Sequence, residues 1–275
     1  MDGSRKWYRD CRFLVEAFAL FNLAGLAADI YLAHSTNSFR RMAEFVPLAF
    51  SVVAPVALVP AILSLELWRR STLWKLIGYV VGWFSVAIGI AGMIYHMDSR
   101  FFQDRTIASL VYAAPFAAPL SYTGLGLLLI MNRMVDSESR EWSYWVLLLA
   151  LGGFAGNFIF SVTDHAQNDF FYKTEWIPVV SSALAIGFLA VPFAVRVSRS
   201  YLRLCAAVML LQALVGLLGF YFHGEADLHG PAPSLFDNVV YGAPIFAPLL
   251  FPDLVLLSGI GLWDLYRKLS EGPTT

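Results

Sequence analysis

The 275-residue chain is 58% hydrophobic and only 14% charged, with a mean hydropathy of +0.63. A soluble domain carries about a quarter charged residues, so this composition excludes an ordinary water-facing globule. The net charge of −1 excludes the basic footprint of a nucleic-acid binder.

A helix needs about 20 apolar residues to cross a bilayer core of roughly 30 Å. Eight such stretches follow one another, at 13–33, 45–67, 74–95, 108–131, 143–163, 176–195, 203–222 and 239–262. The expected fold is an all-α integral membrane protein of eight transmembrane helices. The first stretch has a basic flank like a signal peptide's but is long for one, and it counts as the first span.

Lysines and arginines orient the spans. Fourteen of the nineteen (Arg5, Lys6, Arg9, Arg12, Arg69, Arg70, Lys75, Arg133, Arg140, Arg196, Arg199, Arg203, Arg267 and Lys268) fall on the side that carries both termini. Arg40, Arg41, Arg100, Arg105 and Lys173 fall on the other. Both termini are therefore expected in the cytoplasm, with the chain in a membrane such as the bacterial inner membrane. Cys11 and Cys205 lie near cytoplasmic ends, where disulfides rarely persist.

Between spans one and two stands "HSTNSFRRMAEFVP", 34–47, and between spans five and six "HAQNDFFYKTEWIP", 165–178. They align without a gap, with His, Asn, Phe, Glu and Pro in register. Two further echoes follow in the same order. "GIAGMIYH" at 89–96 matches "GLLGFYFH" at 216–223, and "VYAAPFAAPL" at 111–120 matches "VYGAPIFAPL" at 240–249. The expectation is a tandem duplication, 1–135 and 136–275, of a four-helix unit. Units of four spans share one orientation, so a pseudo-two-fold axis should run along the membrane normal.

Odd-numbered spans end on the outer side at His34, His96, His165 and His223, and His229 shares the last of these loops. One interpretation is punctuation. Histidine suits a helix C-terminus, and glutamate before an aromatic residue and proline suits the next helix start. The other is metal binding, because neutral imidazole and carboxylate together hold transition ions. The candidate ligands are His34, His96, His165, His223 and His229 with Glu44, Glu175, Asp98 and Glu225. They could form one set per half, or a shared site on the axis joining His34 and His165. The cofactor would be zinc, copper, iron or haem b, supporting redox or hydrolytic chemistry, although no HExxH motif is present.

Spans four and eight carry Pro115 and Pro119, and Pro244, Pro248 and Pro252, which predict kinks or a cavity between these two spans. Asp253 falls near the middle of span eight, where a carboxylate needs a partner. Ser121, Tyr122 and Thr123 are candidate donors, and a catalytic role in proton transfer would make the chain a proton-coupled carrier. Glu16 lies close enough to the cytoplasmic end to reach water, and Asp29 could orient His34 from behind. A third function class is a structural or assembly subunit. The expected partners are the lipid bilayer and other membrane subunits.

Overall fold

The computed structural model describes residues 9–63 and 71–270. Residues 64–67 of the second predicted span, and Arg5, Lys6, Arg69 and Arg70, lie outside the described residues. Among the described residues the chain is helical without strands. Its helices are α1 (Cys11–Ser35), α2 (Phe45–Leu63), α3 (Thr72–Asp98), α4 (Phe101–Asp104), α5 (Ile107–Val111) and α6 (Leu120–Met134), then α7 (Arg140–Ala166), α8 (Trp176–Ala194), α9 (Arg199–Leu228), α10 (Leu235–Tyr241) and α11 (Leu250–Ser270).

Seven segments are long and apolar enough to cross a membrane: Cys11–Ser35, Met42–Pro60, Thr72–Asp98, Arg140–Ala166, Lys173–Ala194, Arg199–Leu228 and Ala247–Ser270. Their outer faces are apolar, with Val52, Val53 and Val56 of α2 and Leu210, Leu214 and Leu217 of α9 all exposed. Faces of that kind belong in lipid. Helices α3, α7 and α9 each begin at a serine (Ser71, Ser139, Ser198) whose side chain accepts the backbone N–H of Trp74, Trp142 or Tyr201.

The fourth predicted span, 108–131, is not one helix. Residues 112–119 are non-helical, and α6 has 15 residues, about 22 Å at 1.5 Å per residue, which is short of a bilayer core. The eighth, 239–262, is broken in the same way, at 242–246, and resumes with a 3₁₀ turn, Ala247–Leu249, ahead of α11. Pro115 and Pro119, and Pro244 and Pro248, explain why the chain breaks rather than bends. Each removes an N–H and pushes its predecessor out of helical geometry, and two such residues four apart leave no intact turn between them.

The breaks pack against glycines. A Cβ on Gly89 of α3 would stand 2.8 Å from the Pro119 carbonyl oxygen, and one on Gly216 of α9 would stand 2.7 Å from that of Pro248. The matched "GIAG" and "GLLG" stretches are therefore where α3 and α9 admit the broken strands of chain.

Packing order follows from the contacts. Helices α1, α2, α3 and α6 form one ring, each touching the next, and α7, α8, α9 and α11 form another. The rings join through α1 on α11 and α6 on α7. The inner layer is thus α1, α6, α7 and α11, with α6 and α11 on opposite corners and α2–α3 and α8–α9 outside.

Two buried charge groups lock the end of this inner layer that carries the start of α1 and the end of α11. Glu16, 3% exposed, accepts two hydrogen bonds from Arg133, from Nη2 at 2.6 Å and Nη1 at 2.8 Å. The Arg133 guanidinium lies 4.4 Å over the Trp74 ring and fills the space where Gly78 has no Cβ. Glu16 therefore does not reach water; it ties α1 to α6. In the second group the fully buried Asp264 pairs with Lys268 and accepts from Ser143 Oγ at 2.6 Å and Arg267 Nη2 at 3.0 Å. Cys11 and Cys205 are free and buried.

Candidate functional site

At the opposite end, the two copies of the His–Asn–Glu motif fold alike. After α1 the chain turns through Ser38 (φ 58°) and Phe39 (φ 50°), and after α7 through Asp169 (φ 57°) and Phe170 (φ 53°). Left-handed backbone is uncommon away from glycine, and here it reverses the chain tightly twice. Phe39 stacks on Phe45 with ring centres 4.7 Å apart, and Phe170 on Trp176 at 4.1 Å. Across each loop an asparagine clasps the glutamate: Asn37 Nδ2 donates to Glu44 Oε1 at 3.2 Å, and Asn168 Nδ2 to Glu175 Oε1 at 3.1 Å.

The second carboxylate oxygen of each glutamate faces the first histidine of its half. Glu44 Oε2 lies 3.7 Å from His34 Nδ1, and Glu175 Oε2 lies 3.9 Å from His165 Nδ1. Both distances exceed a hydrogen bond. Both oxygens are buried and have no hydrogen-bond donor among the described residues.

The second histidine of each half is held by a broken segment. His96 Nδ1–H donates to the Pro115 carbonyl at 2.8 Å, and His223 Nδ1–H to that of Pro244 at 2.9 Å. A ring that donates from Nδ1 keeps its Nε2 lone pair free. Beside each of these bonds the backbone N–H of the preceding residue is also taken up. Ala114 N–H goes to Ser99 Oγ and Ala243 N–H to Asp227 Oδ1, both at 3.0 Å. These histidines thus satisfy carbonyls that the proline breaks set free.

The His34 and His96 ring centres are 6.2 Å apart, and Glu44 is an electrostatic neighbour of both rings. His165 has Glu175 and His223 as its neighbours. Of the expected ligands, then, the structure gathers His34, Glu44 and His96 in one place and His165, Glu175 and His223 in another.

The remaining candidates fall outside both groups. His229 Nδ1 pairs with Glu225 Oε2 at 3.0 Å on an exposed flank of α9, where Glu225 also meets the Tyr221 hydroxyl. Asp98 is exposed at the end of α3. Among the described residues no group of three or more His, Cys, Asp or Glu side chains is placed so that it could hold a metal ion as it stands.

Asp253 stands in the first turn of α11, not in mid-helix, where the helix dipole favours a carboxylate. Its partner comes from α1: Asn22 Nδ2 donates to Asp253 Oδ1 at 2.8 Å. Two of the three expected donors are engaged elsewhere. Ser121 bonds the Ala118 carbonyl and Tyr122 bonds Ser51 and the Pro47 carbonyl, while Thr123 Oγ1 is buried beside Gly89 without a hydrogen-bond partner among the described residues.

Sequence reasoning missed Asn22 and Asp227. The second carries a visible signal, standing four residues after His223. Compared with known protein families, characterised proteins and solved structures, the chain matches none.

Proposed function

We propose that this is an integral membrane metal-binding protein built from two copies of one four-helix unit, each copy holding one first-row transition-metal ion at the outer membrane level. The first site is His34, His96 and Glu44, and the second is His165, His223 and Glu175. The observation that carries this proposal is the pair of buried, donorless oxygens, Glu44 Oε2 and Glu175 Oε2, each facing an imidazole nitrogen.

Leaving such an oxygen unsatisfied costs about 1–3 kcal/mol, and more when it is charged. A cation between carboxylate and imidazole removes that cost. Two ligands of one zinc ion, each about 2.0–2.2 Å from it in tetrahedral geometry, stand roughly 3.4 Å apart. The separations of 3.7 and 3.9 Å are a few tenths longer. A set of two imidazoles and a carboxylate suits zinc, iron or copper and leaves a position open for water or substrate. The asparagine on each glutamate and the carbonyl on His96 and His223 supply the outer support that metal ligands need.

The duplication draws support from the matched turns, clasps and breaks of the two halves. The excess of basic residues at the end carrying Arg12, Arg133 and Arg267 supports a cytoplasmic position for that end, with the two sites outside. On this proposal the residues 107–134 cross the membrane as a broken fourth span.

Zinc titration of the purified chain tests the assignment. Wild type should bind two ions, Glu44→Gln one, Glu175→Gln one and the double variant none. Unchanged stoichiometry in the double variant would remove these glutamates from any metal site.

A second interpretation, a proton-coupled carrier, is favoured by the Asn22–Asp253 hydrogen bond within the inner layer. The corresponding positions of the other half are Gly153 and Gly124, so only one such group exists. Asp253→Asn should then abolish proton-coupled flux in vesicles while leaving zinc stoichiometry intact. Full flux in that variant would eliminate the carrier.

A further inference from the structure

The two sites differ in the side chain that holds the broken segment: Ser99 stands three residues after His96, whereas Asp227 stands four residues after His223 and is a carboxylate. In the first half, the N–H of Ala114 is satisfied by Ser99, a neutral hydroxyl. In the second half, the same bond to Ala243 is made by Asp227 Oδ1. A serine suffices for that hydrogen bond, so the carboxylate exceeds the structural need. Its other oxygen, Oδ2, is buried with no hydrogen-bond donor, in a side chain only 2% exposed.

The position aligned with Ala113 is Gly242, where a Cβ would overlap the Asn238 carbonyl oxygen as well as Asp227 Oδ1, so the backbone and the acid are packed closely there. Asp227 stands one helical turn beyond His223 on α9. Residues spaced i, i+4 share a helix face, as paired metal ligands on one helix do. His223 is an electrostatic neighbour of both Asp227 and His165.

We infer that Asp227 is a fourth ligand of the second site, so the chain holds two unequal divalent-cation sites: His165, Glu175, His223 and Asp227 in the second half, and His34, Glu44 and His96 in the first. This inference rests on the metal-binding proposal above. The second site has two carboxylates against one, and it keeps its ion when the first releases it. The first site, with three ligands and a position open, is the exchangeable one.

Zinc alone is the probe, titrated against a chromogenic chelator with the full chain in detergent. Wild type should show two ions per chain, with dissociation constants at least tenfold apart. Glu175→Gln should remove the tighter and Glu44→Gln the weaker. Asp227→Asn, which keeps the acceptor for Ala243 and removes the charge, should weaken the tighter site at least tenfold without touching the other. Asp227→Ser should do the same. Two equal wild-type sites, or a tighter site indifferent to both Asp227 variants, would overturn the inference while leaving the metal-binding proposal standing. Absence of any zinc binding would overturn both.

Discussion

Arg133→Met should destabilise the protein by about 3–5 kcal/mol, because it leaves the Glu16 carboxylate buried without its partner. Glu16 accepts both of its short hydrogen bonds from this one guanidinium. Asn132, at 3.3 Å, cannot neutralise the charge. The double change Glu16→Leu with Arg133→Met removes both charges and should recover most of the loss. Unfolding of detergent-solubilised protein measures both. A single variant as stable as wild type would mean that Glu16 finds water or a proton, contrary to its burial. The exposed Glu225–His229 pair is the internal control, since Glu225→Gln at such a site should cost less than about 1 kcal/mol.

Asp264→Leu should have an effect of similar size, on the order of 3 kcal/mol, for the mirror-image reason. It strands the Lys268 ammonium, itself 6% exposed, against the Ser139 carbonyl, the Ser143 hydroxyl and the Trp142 ring, with no carboxylate from its own pair. The loss should show in how the inner layer holds together, because Asp264 and Lys268 connect α11 to α7 and Cys11 brings α1 to the same carboxylate. Lys268→Met in the Asp264→Leu background should restore stability. A destabilised double variant would indicate that Asp264 acts through Ser143 and Arg267 rather than through the buried charge pair.

The membrane class and the two matched hairpins were legible in the sequence because each rests on local spacing. Apolar runs report bilayer-crossing helices directly. The fixed interval from Asn37 to Glu44 and from Asn168 to Glu175 is the length of the clasp each pair makes. In both motifs the asparagine and one glutamate oxygen close the loop, which is the punctuation, and the ligand assignment rests on the other oxygen.

The broken spans were only half legible. Prolines forecast a disturbance, but a complete break in a membrane requires donors for the freed carbonyls. Those donors, His96 and His223, come from α3 and α9, 19 and 21 residues away from Pro115 and Pro244. Long-range pairs were illegible. Arg133 and Lys268 read as surface charges marking a membrane side, whereas Arg133 finds Glu16 at a separation of 117 residues and Asp253 finds Asn22 at 231. Nothing in local pattern distinguishes a buried arginine from an interfacial one; only the packing of α1 on α6 decides it. Asp227 was passed over for the opposite reason. It stood in an obviously acidic loop, and the more exposed Glu225 beside it looked equally suited.

Elemental analysis of the protein, purified from membranes without chelators or an affinity histidine tag, tests the central claim most directly. The account predicts transition metal approaching two ions per chain, with the number falling to one in either Glu44→Gln or Glu175→Gln. Metal-free protein that also takes up no zinc, iron or copper when these are supplied would contradict it.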